Sequence, residues 1–170
     1  MKKLNSILKI SVFILFVILM ASCLKNEDPY ADYTPEREAG LIKEWMTNVK
    51  IKKLHLDSTS TGIYYIADTT KIGTGPTIKT GDTVTVKYTG AFLDGGIFDQ
   101  QTSYTFIHKD ADPEKRMVQG WEEGIEVLNK GASAVFLIPS AKGYGSTGSQ
   151  RGIIPPNSPL LFIIEVVTIK

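Results

Sequence analysis

Between Gly120 and Gly131 the chain carries one helical pattern inside a span that otherwise reads as strands, and this limits the fold more than any other feature. Trp121, Ile125 and Leu128 share a face of that stretch, Glu122, Glu123 and Glu126 lie elsewhere on it, and Gly131 is its natural stop. Before it, Ile63, Tyr64, Tyr65 and Ile66 form a β-rich run. Residues 73–81 are rich in turn formers, and Val84, Val86 and Tyr88 alternate with Thr85 and Lys87 as in a half-buried strand. After it, strands are predicted over 132–138 and 160–169, the second apolar on nearly both faces. The order strand, strand, helix, strand, long loop, strand predicts an α+β domain in which an antiparallel sheet curls over one short helix.

Such a sheet raises a question about its other face. If Phe136, Ile138, Phe162 and Ile164 point at the helix, period-two alternation turns Val135, Leu137, Leu161 and Ile163 outward, where polar residues would be expected. Upstream, Thr34 and Pro35 form a cap and first-turn pair, Glu36 and Glu38 suit the positive end of a helix, and Ile42, Trp45, Met46 and Val49 recur at helical spacing. These signals predict a second, amphipathic helix over residues 35–49. Its apolar stripe has three candidate uses: docking on the domain, a dimer contact, or contact with a membrane surface. Docking over the outward apolar residues is the expected one, since so short a helix is marginal unless its face is buried. Loss of residues 24–57 is then expected to lower the melting temperature.

The chain begins with Lys2 and Lys3, an apolar run over 10–20, and then Ala21, Ser22 and Cys23. This is the basic head, hydrophobic stretch and small-residue cleavage site of an export signal. Residues 1–22 are read as a signal peptide, and Cys23 stands where a bacterial lipoprotein signal places the residue to be lipidated. Met20 holds the first lipobox position, where Leu is commoner. A retained transmembrane anchor is the other reading, but the run falls short of the ~20 apolar residues that span a bilayer. Two or three acyl chains on Cys23 would fix the protein to a membrane. As the single cysteine it forms no intramolecular disulfide. Glu27 and Asp28, with Leu24 rather than Asp beside Cys23, resemble signals that route lipoproteins to the outer membrane; a plain solvated linker is the alternative. The expected organisation is therefore a signal peptide (1–22), a lipidated cysteine with tether and amphipathic helix (23–57), and a folded domain (58–170), lipid-anchored in the bacterial cell envelope at the outer membrane.

Charge excludes several functions. Lys and Arg number 19 against 18 Asp and Glu, so no basic stripe offers a footprint for nucleic acid. His55 and His108 lie far apart without cysteine or carboxylate at ligand spacing, which argues against a metal. No serine sits in a Gly-x-Ser-x-Gly elbow and no Gly-rich loop opens a helix to cradle phosphate, so neither covalent catalysis of that kind nor a nucleotide cofactor is expected.

What the sequence does hold is aromatic. Tyr88, Phe98, Phe106, Trp121, Tyr144, Ile154 and Phe162 come from separated segments with one acid, Asp99, among them, and several fall in turns bounded by Gly or Pro, where core burial is least expected. That suggests a lined pocket. The segments are VKYTG from Val86, IFDQ from Ile97, MVQGWEEG from Met117, IPSAKGYGSTG from Ile138 and IIPPNSPLLFIIEV from Ile153. Together they resemble the FKBP family of peptidyl-prolyl cis/trans isomerases, over roughly the last two-thirds of the chain.

The resemblance implies an FKBP half-barrel, an isomerase of X-Pro bonds that assists the folding of exported proteins, and no cofactor. It implies as partners proline-containing segments of those proteins and macrolides of the FK506 type. It makes Trp121 the floor under the proline ring and Tyr88, Phe98, Phe106 and Phe162 the walls. The backbone N–H of Val118 and the hydroxyl of Tyr144 would donate to substrate carbonyls, Ile153 and Ile154 would flank the peptide, and Asp99 would act electrostatically on the twisted amide. Met117 stands where the family usually has a smaller branched residue. The segment QQTSYT after Asp99 is shorter than in the small human-type members and lacks their arginine that pairs with the pocket aspartate, and SQRG before Ile153 lacks a histidine often found there. For the aromatics the competing reading is ordinary core packing; for Asp99 and the tyrosine hydroxyls it is satisfaction of nearby backbone groups. The alternative function is a non-catalytic proline-peptide-binding or holdase lipoprotein, which would not need Asp99 and Tyr144.

Overall fold

Thr34 caps the first helix by accepting a hydrogen bond from the backbone N–H of Arg37 at 3.2 Å, and Pro35 supplies a first-turn residue whose missing N–H costs nothing there. In the computed structural model, which describes residues 28–170, this helix α1 spans Pro35–Ile51. It runs two residues past the predicted end and closes without glycine. Lys53 takes the left-handed conformation (φ 54°), while the N–H of Leu54 reaches the carbonyl of Val49 and the N–H of Lys53 that of Lys50. That is a Schellman closure with lysine where glycine is usual. The signal peptide, Cys23 and Glu27 lie outside the described residues.

Strands β1 (Asp57–Ser58), β2 (Tyr64–Ala67), β4 (Thr83–Phe92), β5 (Ile97–Ile107), β7 (Ser133–Ile138) and β8 (Leu160–Ile169) form one antiparallel sheet in the order β1-β2-β7-β8-β4-β5. Two short strands, β3 (Thr74–Thr77) and β6 (Asn129–Lys130), pair separately. Helix α2, Gln119–Ile125, packs in the concavity, where Trp121 and Ile125 meet Val84, Val86, Phe136, Ile138, Phe162 and Ile164 in one core. The fold class expected from the element order is the one observed, an α+β sheet over one short helix with a second helix N-terminal to it.

Helix α2 is shorter than its glycine boundaries suggested. It ends at Ile125 because the chain must turn out through Glu126 and Val127 to pair Lys130 with Thr74. Leu128 still reaches the core, but from beyond the helix, and Gly131 (φ 85°) turns β6 into β7 instead of stopping a helix. At the other border, His108 is fully buried after the end of β5, with Nε2 3.1 Å from a carboxylate oxygen of Glu126, which also accepts from Lys109 at 2.7 Å. This ties the edge strand to the end of α2.

The outer face of the sheet is covered at one end only. Tyr64, Leu137, Leu161 and Ala91 form a row across four strands, and Leu137 is completely buried although it faces away from the core. In the next row Val135 pairs with Ile163, which is 48% exposed. The cover is α1. Glu38, Leu41, Ile42, Trp45 and Met46 are half-buried and Val49 is buried, one stripe at helical spacing, while the remaining positions of the helix are exposed. Two polar clamps pin its start: the N–H and hydroxyl of Ser140 each donate to a carboxylate oxygen of Glu38 at 2.6 Å, and Asn157 donates to the carbonyl of Tyr33 at 2.6 Å. Ser140 follows β7 and Asn157 precedes β8, so α1 is held over the Leu137–Leu161 end and leaves Ile163 bare.

Candidate active site

The inner face of the sheet places the aromatic residues. Tyr88 comes from β4, Phe98, Asp99 and Phe106 from β5, and Phe162 from β8, each strand sending its rings inward over α2. Three of these, Phe98, Asp99 and Phe106, were expected among turns or unassigned segments; they lie on an eleven-residue edge strand. Two register irregularities in its pairing with β4 disturb the alternation that would have revealed it. Gly90 of β4 is needed there. A Cβ on it would stand 2.6 and 2.7 Å from ring carbons of Phe98 and 3.0 Å from Phe162, so only glycine lets both rings meet over the strand.

Trp121 is the hub. Tyr88 and Phe162 approach its indole edge-on with centroids 5.0 Å away, and Phe106 lies at 6.1 Å; Phe98 in turn meets Phe162 at 5.6 Å, nearly perpendicular. Edge-to-face pairs of this kind favour a fixed arrangement over a loose one. The indole is only 1% exposed and its Nε1 has no hydrogen-bond partner among the described residues. Tyr88, Phe106, Phe162 and Ile154 are buried as well. These groups therefore form a packed base. The open cleft above it, about 590 Å3, is lined by Phe98, Asp99, Tyr144, Ile153 and Ile154 with the 148–151 turn. Met117 and Val118 are half-buried against the same core.

Asp99 has a partner that the sequence did not reveal. In place of an arginine, the Tyr88 hydroxyl donates to Oδ2 of Asp99 at 2.5 Å. Burial, followed by this carboxylate, pushes the Tyr88 phenol far above its ordinary pKa, so it remains a donor and orients the acid. The Tyr144 phenol is also pushed up, first by burial and then by the negative charge of Asp99. Its hydroxyl makes no hydrogen bond to protein among the described residues and stays protonated at neutral pH, a donor open to the cleft. Val118 is the N-cap of α2, and its backbone N–H is likewise unused. Tyr104, passed over in the sequence, joins the cluster: it stacks on Phe106 at 5.7 Å, meets Tyr88 at 5.9 Å and donates to the sulfur of Met117 at 3.7 Å. Its position two residues before Phe106 on one strand face was the available signal.

The loop that frames the cleft is rigidly built. Ser149 and Ile154 exchange hydrogen bonds at 2.8 and 2.9 Å, and Asn157 donates its N–H to Gly145. Gly148 (φ 73°) packs so tightly that a Cβ would stand 2.4 Å from the carbonyl oxygen of Ile154. Lys142 ties the loop to α2 by an ion pair with Glu123 at 2.5 Å. Among the described residues there is no group of three or more potential metal ligands. The arrangement offers an apolar box, one oriented carboxylate and two free donors, which suits binding a distorted amide better than bond cleavage.

The FKBP-type peptidyl-prolyl cis-trans isomerase family matches residues 75–167. Over 116 residues the chain is 35% identical to a probable FKBP-type peptidyl-prolyl cis-trans isomerase of Haemophilus influenzae, covering 66% of this chain and 45% of that one. It is 36% identical over 92 residues to FK506-binding protein 1A of Aspergillus fumigatus, covering 54% of this chain and 81% of the relative. The chain thus spans less than half the length of the Haemophilus protein. Among solved structures, FkpA of Escherichia coli superposes with a TM-score of 0.67 at 30% identity, over 95% of this chain and 70% of that one. A peptidyl-prolyl cis-trans isomerase of Pseudomonas syringae gives 0.62 at 28% identity, over 78% and 95%. A sheet over one helix, an aromatic base beneath a cleft, and these matches lead to one conclusion: the chain belongs to the FKBP-type peptidyl-prolyl cis-trans isomerase family.

Proposed function

We propose that the chain is an active peptidyl-prolyl cis/trans isomerase working on exported polypeptides, and that it is held by lipid on Cys23 in the bacterial cell envelope, at the outer membrane. The observation that carries the catalytic reading is the Tyr88–Asp99 hydrogen bond at the rim of the aromatic base, with the Tyr144 hydroxyl open beside it. Rotation about an X-Pro bond meets a barrier of ~18–20 kcal/mol because twisting sacrifices amide resonance. The proline ring settles among Phe98, Ile154 and the exposed edge of the base over Trp121. The N–H of Val118 and the hydroxyl of Tyr144 hold the neighbouring carbonyls, and water is excluded from the amide. As the amide twists, its carbonyl carbon loses the electron density that nitrogen had shared with it, and the fixed carboxylate of Asp99 favours that polarised state. The same cleft accommodates macrolides of the FK506 type.

The test is the cis-to-trans rate of a short X-Pro peptide with the protein lacking residues 1–23, with and without FK506, beside Asp99→Ala. Acceleration that FK506 abolishes and the variant weakens about tenfold or more supports the enzyme. FK506 binding without acceleration overturns it in favour of a non-catalytic proline-peptide module. The anchor rests on the sequence of residues 1–28. Expressed in a diderm bacterium, the full chain should fractionate with outer membranes and Cys23→Ser should not; equal membrane association of both would sink the lipid anchor.

A further inference from the structure

Beside the cleft lies a second hollow of about 220 Å3, bounded by Arg37 and Leu41 of α1, by Leu93 and Asp94 at the tip of the β4–β5 hairpin, and by Ile153 and Pro155. Ile153 lines both spaces and is 55% exposed, so a peptide leaving the proline cleft over its side chain enters the hollow directly. The lining is mixed: Leu41, Leu93, Ile153 and Pro155 are apolar, and Arg37 and Asp94 bring charges of opposite sign. The carboxylate of Asp94 accepts the N–H of Gly96 at 2.9 Å, which fixes it in the hairpin turn while its negative charge stays without a cation among the described residues. The guanidinium carbon of Arg37 lies 4.4 Å over the ring of Tyr33, and among the described residues it pairs with no carboxylate. Arg37 and Leu41 also lie outside residues 75–167, so this wall is supplied by the N-terminal helix and not by the family's domain.

We propose that the hollow extends the substrate site. It takes an apolar side chain a few residues from the isomerising bond, and Arg37 pairs with an acidic residue next to it. The occupant is thus the flanking segment of a proline-containing polypeptide, chosen by continuity with the cleft across Ile153 and by an Arg37 guanidinium that meets no carboxylate among the described residues, with Asp94 held in its own turn. The docked helix α1 becomes a selectivity element for the enzyme proposed above, on which this inference rests.

The experiment compares a short Ala-Pro peptide with longer ones that carry Leu-Glu or Leu-Lys on either flank, using the parent chain lacking residues 1–23 and its Arg37→Glu variant. Arg37 is exposed, and among the described residues its guanidinium makes no hydrogen bond or ion pair and lies over Tyr33, so the variant should fold, and its rate on the short peptide is expected to stay within about twofold of the parent. In the parent, Leu-Glu on one flank should raise kcat/KM about three- to tenfold over the short peptide, chiefly through KM. Arg37→Glu should erase that gain and transfer it to the Leu-Lys peptide. A gain that is absent, or that survives Arg37→Glu, overturns the proposal. If the parent does not turn over the short peptide, the isomerase reading is what fails, and the same comparison made on peptide affinity decides the fate of the hollow.

Discussion

Trp121→Ala is expected to cut kcat/KM for a short X-Pro peptide about 100-fold and to cost about 3–5 kcal/mol of stability, the usual range for deleting a buried large aromatic. Both effects follow from one position. The indole is enclosed by Tyr88, Phe106 and Phe162, so its removal leaves a cavity at the centre of the ring cluster, and those rings also support the walls of the cleft. A hundredfold loss corresponds to about 2.7 kcal/mol of lost transition-state binding, which the collapse of one wall of an apolar box accounts for. Trp121→Phe separates the two effects. It keeps a ring in the well and removes an indole N–H that has no hydrogen-bond partner among the described residues, so its stability loss should fall well short of that of alanine. Peptide kinetics corrected for the folded fraction, read beside chemical denaturation, make the comparison. If Trp121→Ala were destabilised as expected yet retained parental turnover, Trp121 would be core alone and the proline ring would have to rest on Phe98 and Ile154.

The features legible in the sequence were those that repeat. Strands β4, β7 and β8 follow from period two, the start of α1 from Thr34-Pro35, and the pocket chemistry from aromatic motifs in a family's order. What was hidden was set by pairing partners. Strand β5 carries polar residues at the sheet's edge and is broken by irregular register, so neither hydrophobicity nor alternation marks it. The end of α1 was obscured because Lys53 adopts a backbone conformation that glycine normally signals. In the site, the missing arginine left the orientation of Asp99 open. The structure supplies a partner in Tyr88, eleven residues earlier, through a contact between strands that no local spacing records. The outward apolar residues of β7 and β8 were a sound clue to a cover, yet period two could not tell which row it would reach, and Ile163 stays exposed because Glu38 and Tyr33 anchor α1 at the opposite end.

That cover should matter to stability far more than to chemistry. A chain starting at Asp57 is expected to melt about 10 °C below one starting at Asp28, since re-exposing Leu137 and part of Leu161 and losing the burial of α1 removes about 3–4 kcal/mol. Glu38→Ala tests the same contact with one side chain. It strands the N–H and hydroxyl of Ser140, a buried residue, and should cost about 2 kcal/mol. Unchanged melting of both would mean that α1 contributes nothing to the domain and that the burial of Leu137 has another source. The truncated chain should nonetheless turn over the short Ala-Pro peptide at a rate near the parent's, because the rings of the cluster come from the inner face of the sheet and from α2, and none from α1. What it should lose is discrimination between Leu-Glu and Leu-Lys flanks, since Arg37 leaves with the helix. A domain that kept its chemistry while losing both stability and flank preference would locate all of the catalysis in the sheet and α2, with α1 acting as brace and selector.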